Sequence, residues 1–304
     1  MRECDVAVVG GGLAGLTAGM IAAQHGLAVV VIDNMGAAGQ VLNVPRLDNM
    51  PGFPDGIAGY ELGPILQMQA ETAGCEFAFD VVSALESDGE GYLLRCGDED
   101  VRGRSVIIAA GSSLRGLGIP GEADFEGKGV SHCASCDGPF HTGGTVAVIG
   151  GGDSAVEEAA VLSEFAGRVL VYQRGTELTA QRYLLEQLGA MPSVEVQLEC
   201  EVQAIVGDGE VAGVQVLDKA SGSTRVDDVT GVFVYVGLEP NTAFLRGVLD
   251  LDGAGHILTD LKLATSLPGV FAAGDIRQGS VALAASVIGD GATAAVNAFR
   301  YLSR

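Results

Sequence analysis

Residues 5–15 have the sequence Asp-Val-Ala-Val-Val-Gly-Gly-Gly-Leu-Ala-Gly. The apolar run at its start is typical of a buried parallel strand, and the residues after it predict a helix that continues to about Gln24. The turn between them, Gly10-Gly11-Gly12-Leu13-Ala14-Gly15, has the spacing Gly-x-Gly-x-x-Gly. Glycines at these positions let a helix N-terminus and its free amides approach a pyrophosphate. The stretch therefore predicts a dinucleotide-binding turn.

A second strand is predicted at residues 28–32 and is followed by Asp33. Asp33 lies 23 residues after Gly10, and an acid at this distance is placed to hold the hydroxyl pair of a ribose. A lone glycine motif is a weak signal. Strand, turn, helix, strand and acid in this order distinguish a nucleotide site from an ordinary βαβ connection.

The same pattern returns about 140 residues later. Residues 145–150 predict a strand, Gly150-Gly151-Gly152-Asp153-Ser154-Ala155 repeats the turn with alanine in the third glycine position, and residues 156–164 predict the helix. The next strand, at residues 168–172, runs into Tyr172-Gln173-Arg174 and has no acid at its end. The chain is therefore predicted to be an α/β protein with two Rossmann-like, doubly wound nucleotide-binding domains, each built in three layers.

Further elements are predicted between and after the two glycine turns. They are a turn-rich loop at 48–59, a helix at about 60–73, a strand at 105–110 before Gly111, a meander of short strands at 195–218 and 224–235, a linker at 237–242, a strand at 269–275 and a final helix from about 282 to 302.

The stretch Cys133-Ala134-Ser135-Cys136-Asp137-Gly138 places two thiols three residues apart with an acid directly behind them. Such a pair can close into a disulfide and reopen by thiol–disulfide exchange, in which the leaving sulfur needs a proton that Asp137 can supply. Half of a zinc site and a pair of core cysteines are the alternatives. A zinc site needs a second Cys or His pair at similar spacing, which the sequence lacks, so we predict redox chemistry and no metal.

The net charge and the distribution of apolar residues make several classes of partner and location unfavourable. The 304 residues carry a formal charge of −22, which disfavours nucleic acids and anionic membranes as partners because both require a basic surface. No window approaches the roughly 18 apolar residues of a membrane helix, and the N-terminus has no signal-peptide pattern. We expect a cytoplasmic protein, where thiols stay reduced and a Cys-x-x-Cys motif is more often catalytic than structural.

Seven short segments form a specific combination over nearly the whole chain. They are Gly10-Gly11-Gly12-Leu13-Ala14-Gly15, Gly39-Gln40, Asn49-Met50-Pro51-Gly52-Phe53, Ala109-Ala110-Gly111, Cys133-Ala134-Ser135-Cys136-Asp137-Gly138, Gly150-Gly151-Gly152-Asp153-Ser154-Ala155 and Gly274-Asp275. In this combination the chain resembles the low-molecular-weight thioredoxin reductase family of flavoproteins. The resemblance implies a homodimer whose FAD domain comprises residues 1–114 and 244–304. A smaller nucleotide domain, residues 115–243, is inserted and carries the dithiol.

The resemblance also implies residue roles. Cys136 would face the flavin, Cys133 would attack the substrate disulfide, and Asp137 would act as the acid. The amide of Ala284, at the start of the last helix, would stabilise negative charge at the reduced ring. The implied FAD contacts are Gly10, Gly12, Leu13, Ala14, Gly15, Asp33, Asn34, Gly39, Gln40, Asn49, Val82, Ala110, Gly111, Gly274, Asp275 and Ala284.

Two stretches depart from the family's pattern. The family ends the strand after its second glycine turn with His-Arg-Arg and adds another Arg nearby, which together grip the 2′-phosphate of NADPH. Here the residues are Tyr172-Gln173-Arg174 and Leu178, so one cation stands where three are expected. Before the last helix the family usually has Arg-Gln-Ala, and this chain has Ala282-Leu283-Ala284.

The second turn therefore predicts a nucleotide site whose ligand stays open among NADH, NADPH and a second flavin. Its candidate residues are Gly150, Gly152, Asp153, Ser154, Ala155 and Arg174.

Three functional hypotheses follow. The leading one is an FAD-dependent reductase of a thioredoxin-like protein or a small disulfide. The second is a relative independent of pyridine nucleotides, linked to ferredoxin or a second flavin, or a dithiol oxidase using oxygen. The oxidases typically carry His where this chain has Asp137, and the negative charge disfavours an acidic ferredoxin. The third is a non-enzymatic flavin redox sensor.

Overall fold

A computed structural model describes residues 1–34 and 39–304 of the chain. The chain divides into two compact units, Met1–Ser113 with Glu239–Arg304 and Leu114–Leu238. The second boundary lies five residues before the one expected from sequence, at 243/244. Asn241 accounts for the difference, because its side-chain amide donates to the carbonyl oxygen of Ala110 at 2.8 Å and its backbone amide donates to that of Gly111 at 3.1 Å.

The described residues form strands, α-helices and short 3₁₀ helices that alternate along the chain. The strands are β1 Arg2–Val9, β2 Val29–Ile32, β3 Glu76–Ala78, β4 Ala84–Ser87, β5 Tyr92–Arg95, β6 Val101–Ile108, β7 Ser112–Leu114, β8 Val130–Ser131, β9 Thr145–Ile149, β10 Arg168–Gln173, β11 Val194–Leu198, β12 Cys200–Asp208, β13 Glu210–Asp218, β14 Thr224–Asp228, β15 Gly231–Val234, β16 Leu238–Pro240 and β17 Val270–Ala272. The α-helices are α1 Leu13–Gln24, α2 Gly59–Ala73, α3 Ala134–Asp137, α4 Asp153–Leu162, α5 Arg182–Leu188 and α6 Ala284–Leu302. The 3₁₀ helices are Gly39–Asn43, Gly138–His141 and Ala243–Leu245.

The first unit is built on a sheet of order β3-β2-β1-β6-β5-β4, with β17 also paired to β6. Strand β1 lies parallel to both neighbours, with Val6 opposite Val29 in β2 and Ser105 in β6. The first half of β6 pairs antiparallel with β5, and its second half pairs parallel with β17. The carboxyl ends of β1, β2, β6 and β17 therefore meet at one edge of the sheet, where ligands of α/β proteins bind.

Side chains of β1 alternate between two apolar layers. Val6 and Val8 pack with α1 and α6 on one face, whereas Ala7 and Val9 pack with residues 245–276 on the other. Burial on both faces explains why the central strands are continuous apolar runs.

In the helical layer, α6 lies against α1 at Gly291. A β-carbon on Gly291 would stand 2.2 Å from the carbonyl oxygen of Ala14, so this contact requires glycine.

The second unit contains a parallel sheet of order β11-β10-β9-β15-β8 and an antiparallel sheet of order β12-β13-β14. The meander predicted at 195–218 and 224–235 is therefore divided: its first strand, β11, and its last, β15, join the parallel sheet. Strand β15 is buried along its whole length, as expected of a central parallel strand. The predicted linker at 237–242 contains β16, which pairs with β7.

The predicted fold class, α/β with two Rossmann-like units, is confirmed. In residues 1–34 and 39–304, no helix combines the length and apolar character needed to cross a membrane.

We predict that Gly291→Ala and Gly289→Ala act in opposite directions, although both change a glycine of α6. The added methyl at position 291 meets backbone, which costs about 2 kcal/mol or more. The methyl at position 289 has no atom within 4 Å, and alanine favours a helix over glycine by about 1 kcal/mol. Thermal unfolding should give a midpoint about 5 °C lower for Gly291→Ala and no decrease for Gly289→Ala. Equal midpoints would contradict the close approach of the two helices.

Candidate active site

The first glycine turn is held by backbone contacts. Gly10 follows β1 with φ +103°, and a β-carbon there would stand 2.3 Å from the carbonyl oxygen of Ala109. A β-carbon on Gly15 would stand 1.9 Å from the carbonyl oxygen of Gly10. Gly12, the N-cap of α1, has no atom within 4 Å of its β-carbon position. The turn thus presents the amide end of α1 to open space, which is the geometry that a pyrophosphate needs.

Asp33 reaches this turn from the end of β2. Its Oδ2 accepts a hydrogen bond from the backbone amide of Gly11 at 2.7 Å. The structure therefore brings together the acid and the glycines that the sequence pattern paired. Asn34 follows directly in the chain, and its contact with a cofactor stays a prediction.

Residues 39 and 40 lie beside the turn. Gly39 has φ +57°, and its β-carbon position lies 3.4 Å from the α-carbon of Gly12. The side-chain amide of Gln40 donates to the carbonyl oxygen of Ser112. Ser112 follows Gly111 and is the first residue of β7, and its buried Oγ has no partner among the described residues. Ser112 was not among the predicted site residues, since a serine directly after Gly111 carries no pattern of its own.

A buried ion pair supports the Gly274–Asp275 segment. Asp290, inside α6, accepts from the backbone amide of Gly274 at 3.0 Å and binds the guanidinium of Arg277 through both oxygens, at 2.6 and 2.8 Å. Asp275 in turn accepts from the hydroxyl of Ser280 at 2.7 Å. Asp290 was not among the predicted site residues. Its position on the buried face of α6 was a signal, because a buried acid requires a partner.

The remaining predicted FAD contacts differ in their exposure to solvent and in their hydrogen bonds. Helix α6 begins at Ala284, after Leu283 as an N-cap without a side-chain hydrogen bond. Ala110 has its carbonyl oxygen engaged by Asn241. Asn49 is exposed, and Val82 is buried in the layer opposite α1. The glycine cradle, the open space at Gly12 and the unpartnered hydroxyl of Ser112 fit an FAD.

The second unit holds the dithiol, and Cys133 and Cys136 form a disulfide with α-carbons 5.3 Å apart. Cys133 is the N-cap of α3, and its sulfur accepts a hydrogen bond from the backbone amide of Cys136 at 3.3 Å. The hydroxyl of Ser135 lies 3.4 Å from the same sulfur. Asp137 ends the helix. A sulfur at a helix N-terminus is favoured as thiolate, so Cys133 is suited to nucleophilic attack once the disulfide is reduced.

A carboxyl group lies behind α3. Glu158 of α4 accepts from the backbone amide of Ala134 at 2.9 Å and from the hydroxyl of Tyr235 at 3.0 Å. Burial raises the pKa of Glu158, and the two hydrogen bonds oppose this effect. Neither Glu158 nor Tyr235 was among the predicted site residues.

The other thiols are unsuited to nucleophilic chemistry. Burial raises the pKa of Cys4 to about 12 and of Cys75 and Cys96 to about 11, and Cys200 is buried as well. Thiols with raised pKa are inert at neutral pH. Within the described ranges no group of His, Cys, Asp and Glu side chains is arranged to hold a metal ion.

The second glycine turn repeats the first with its own contacts. A β-carbon on Gly150 would stand 2.1 Å from the carbonyl oxygen of Tyr235, and Gly152 is the N-cap of α4. Asp153, the first residue of α4, accepts two hydrogen bonds from Gln181, at 2.7 and 2.6 Å. The backbone amide of Thr179 donates to the carbonyl oxygen of Gly151 at 2.7 Å. The loop after β10 thus folds over this turn.

At the end of β10, Tyr172 and Gln173 are engaged in contacts within the unit, and Arg174 is exposed. Tyr172 is 1% exposed, and its hydroxyl donates to Asp227 at 2.7 Å. The side-chain amide of Gln173 lies 2.4 Å from the β-carbon position of Gly151. Arg174 is exposed, and its carbonyl oxygen accepts from the ammonium of Lys219 at 3.2 Å. Lys219 was missed because it lies 45 residues away in the sequence.

The chain is similar to known proteins over nearly its whole length. The family model described as pyridine nucleotide-disulphide oxidoreductase matches residues 4–291. A thioredoxin reductase of Treponema pallidum is 37% identical over 300 residues, covering 99% of this chain and 97% of that protein. The crystal structure of Lactococcus lactis thioredoxin reductase matches with a TM-score of 0.96, 34% identity and 99% coverage of both chains. That of T. acidophilum thioredoxin reductase matches with a TM-score of 0.95, 32% identity and complete coverage of both.

Identity above 30% over nearly the full length agrees with the two glycine turns and the disulfide found in the structure. The chain therefore belongs to the pyridine nucleotide-disulphide oxidoreductase family, and within it is a flavin-dependent disulfide oxidoreductase of the low-molecular-weight thioredoxin reductase type.

Proposed function

We propose that the protein reduces a thioredoxin-like protein or a small disulfide with electrons that a nicotinamide dinucleotide delivers through FAD. The observation that carries the proposal is the Cys133–Cys136 disulfide at the start of α3, in the same unit as the second glycine turn. The relatives are named for thioredoxin, which supports a protein substrate of that kind. We further propose a cytoplasmic homodimer, as expected for a reductase of this family.

The first unit would hold the FAD. The pyrophosphate would lie at Gly10–Gly15, a ribose at Asp33, and the flavin near Gln40, Ser112 and Ala284. When bound, FAD supplies the electron pair that opens the Cys133–Cys136 disulfide.

The reduced dithiol then acts through its own sulfurs. The thiolate of Cys133 attacks one sulfur of the substrate disulfide, and the other substrate sulfur leaves as a thiolate that takes a proton relayed from solvent by Asp137. The resulting mixed disulfide joins Cys133 to the substrate. Cys136 gives up its proton to solvent and attacks the sulfur of Cys133, which restores the Cys133–Cys136 disulfide and releases the second substrate sulfur as a thiol. One disulfide is consumed and one is formed, so the dithiol contributes two electrons.

The donor would bind at Gly150–Ala155. Because Tyr172 is buried and Gln173 covers Gly151, Arg174 is left to meet a 2′-phosphate at the end of β10, with Lys219 as its neighbour. Loss of charge-assisted bonds worth about 1.5–3 kcal/mol each removes most of the advantage of NADPH. We therefore propose NADH as a donor at least as good as NADPH.

The donor is tested by anaerobic titration of the flavin-loaded protein with each nucleotide while the visible flavin band is followed. NADH should bleach the band at least as efficiently as NADPH, with about two equivalents per flavin, because the first electron pair passes on to the Cys133–Cys136 disulfide and the second remains with the flavin. The Cys136→Ser variant should still be bleached and should not reduce disulfides. If neither nucleotide bleaches the band and dithionite does, the nicotinamide donor is wrong, and ferredoxin, a second flavin or the oxidase direction takes its place.

The FAD site is tested at Gly12, where alanine fits the backbone and adds a methyl group in the open space beside α1. The Gly12→Ala protein should keep its unfolding midpoint in the flavin-free state, because nothing within 4 Å opposes the β-carbon. Its affinity for FAD should fall at least tenfold, since the methyl group occupies the approach to the amides. Equilibrium titration followed by flavin fluorescence measures the change. Unchanged FAD affinity would exclude the turn as the pyrophosphate site.

A protein substrate is tested at Phe140, which is 83% exposed on the 3₁₀ helix directly after α3. Large exposed aromatic side chains are favoured at protein interfaces, where truncation of an anchor costs about 2 kcal/mol. Phe140→Ala should therefore raise KM for a thioredoxin-like protein more than tenfold and leave KM for a small aromatic disulfide unchanged. Leu261→Ala, which truncates a fully exposed leucine of the first unit, serves as the control. An equal effect on both substrates would argue against docking at Phe140.

A further inference from the structure

The carboxyl group of Glu158 and the sulfur of Cys133 use the same short helix. Cys133 is the N-cap of α3, so the amide of Ala134 is the first of the helix and lacks an intrahelical acceptor. Glu158 Oε2 accepts from this amide at 2.9 Å. The sulfur of Cys133 accepts from the amide of Cys136, two residues further on, at 3.3 Å. Two groups that can carry negative charge therefore accept hydrogen bonds from amides of the same helical turn.

The charge states of these two groups must be linked. Each group in its ionised form disfavours ionisation of the other, because like charges repel and because both depend on the positive end of the same turn. While the disulfide is closed, the sulfur of Cys133 is uncharged and Glu158 meets no competition. Once the dithiol is reduced, a thiolate on Cys133 and a carboxylate on Glu158 oppose each other.

We propose that Glu158 is a positioning residue of the dithiol, which fixes the first amide of α3 and sets the fraction of Cys133 that is thiolate at a given pH. The inference rests on the proposed function, in which Cys133 attacks the substrate. It deepens that function, because the thiolate fraction limits the rate of attack.

Tyr235 sets the state of the carboxyl. Its hydroxyl donates to Glu158 Oε2 at 3.0 Å and is buried, so the bond favours the ionised carboxylate against the effect of burial. Burial raises the pKa of Tyr235, and the charge of Glu158 acts in the same direction. Asp137 adds a smaller effect of the same sign on Tyr235. The hydroxyl therefore remains a donor at all relevant pH values.

Other titratable groups surround the pair. His132 places Nδ1 3.1 Å from the carbonyl oxygen of Val234 and Nε2 3.8 Å from Glu126. Burial lowers the pKa of His141, on the helical turn after α3. Glu157 precedes Glu158 on α4 and is exposed. These groups are present in every variant of Glu158, so a comparison among variants tests the effect of Glu158 itself.

The test measures the thiol of Cys133 directly. Flavin-loaded protein carrying Cys136→Ser is freed of nucleotide, and the rate of alkylation of Cys133 by iodoacetamide is followed by mass spectrometry from pH 5 to 10. Glu158→Gln keeps an acceptor for the amide of Ala134 and removes the charge. Glu164→Gln removes the same charge from an exposed position just beyond α4 and is the control.

We expect Glu158→Gln to lower the pKa of Cys133 by about one unit and to raise alkylation below that pKa up to about tenfold, with Glu164→Gln unchanged. Tyr235→Phe should shift the pKa in the same direction by less, because a carboxyl without the hydroxyl is protonated more readily. Matching profiles for Glu158→Gln and the control would overturn the proposal.

If Glu158→Gln does not fold, an unshifted Tyr235→Phe profile overturns it instead. Failure of the proposed function would appear separately, as absence of disulfide reduction by wild-type protein with any donor, and would leave the alkylation result intact.

Discussion

The close approach of backbone to backbone at the first glycine turn is the contact on which the first unit depends. A β-carbon on Gly15 would stand 1.9 Å from the oxygen of Gly10, and one on Gly10 would stand 2.3 Å from the oxygen of Ala109. Gly291 brings α6 equally close to Ala14. Because no methyl group separates these segments, the amide end of α1 is fixed at the carboxyl ends of β1 and β6. The proposed site for a pyrophosphate is thus a consequence of how the sheet and the helices pack.

The second unit uses the same contact and adds the dithiol to it. The carbonyl oxygen of Tyr235 blocks any side chain at Gly150, while the hydroxyl of Tyr235 holds Glu158, which in turn binds the amide of Ala134 at the start of α3. One residue at the end of β15 therefore contacts both the glycine turn and the support of the disulfide. Position 155 holds alanine where the first turn has Gly15, and the β-carbon of Ala155 lies 3.1 Å from the place that a β-carbon on Gly150 would take.

The features that could be predicted from the sequence are those that depend on short, regular patterns of residues. Both βαβ units, Asp33 beside the first turn and the Cys133–Cys136 disulfide follow from local spacing. The features it missed depend on residues far apart in the chain. Lys219 reaches Arg174 across 45 residues, and the strands β11 and β15 resemble meander strands until the sheet that buries them is known. Asp290 belongs partly to both groups. Its place on the buried face of α6 follows from the local pattern, whereas its partners Gly274 and Arg277 could not be predicted from sequence.

The end of β10 differs from the family's pattern by more than the loss of two basic residues, because Tyr172 is part of the apolar core. Tyr172 packs in an apolar cluster with residues of β9, β12 and β13, and its hydroxyl donates to Asp227, which also pairs with Arg225. A histidine at this position would remove the hydroxyl that Tyr172 donates to Asp227 and would leave a gap in the core, so restoring the family's residue alone would destabilise the unit. The proposed nucleotide preference is thus tied to the packing of the second unit, and we expect a change of preference to require that Tyr172, Gln173 and Leu178 change together.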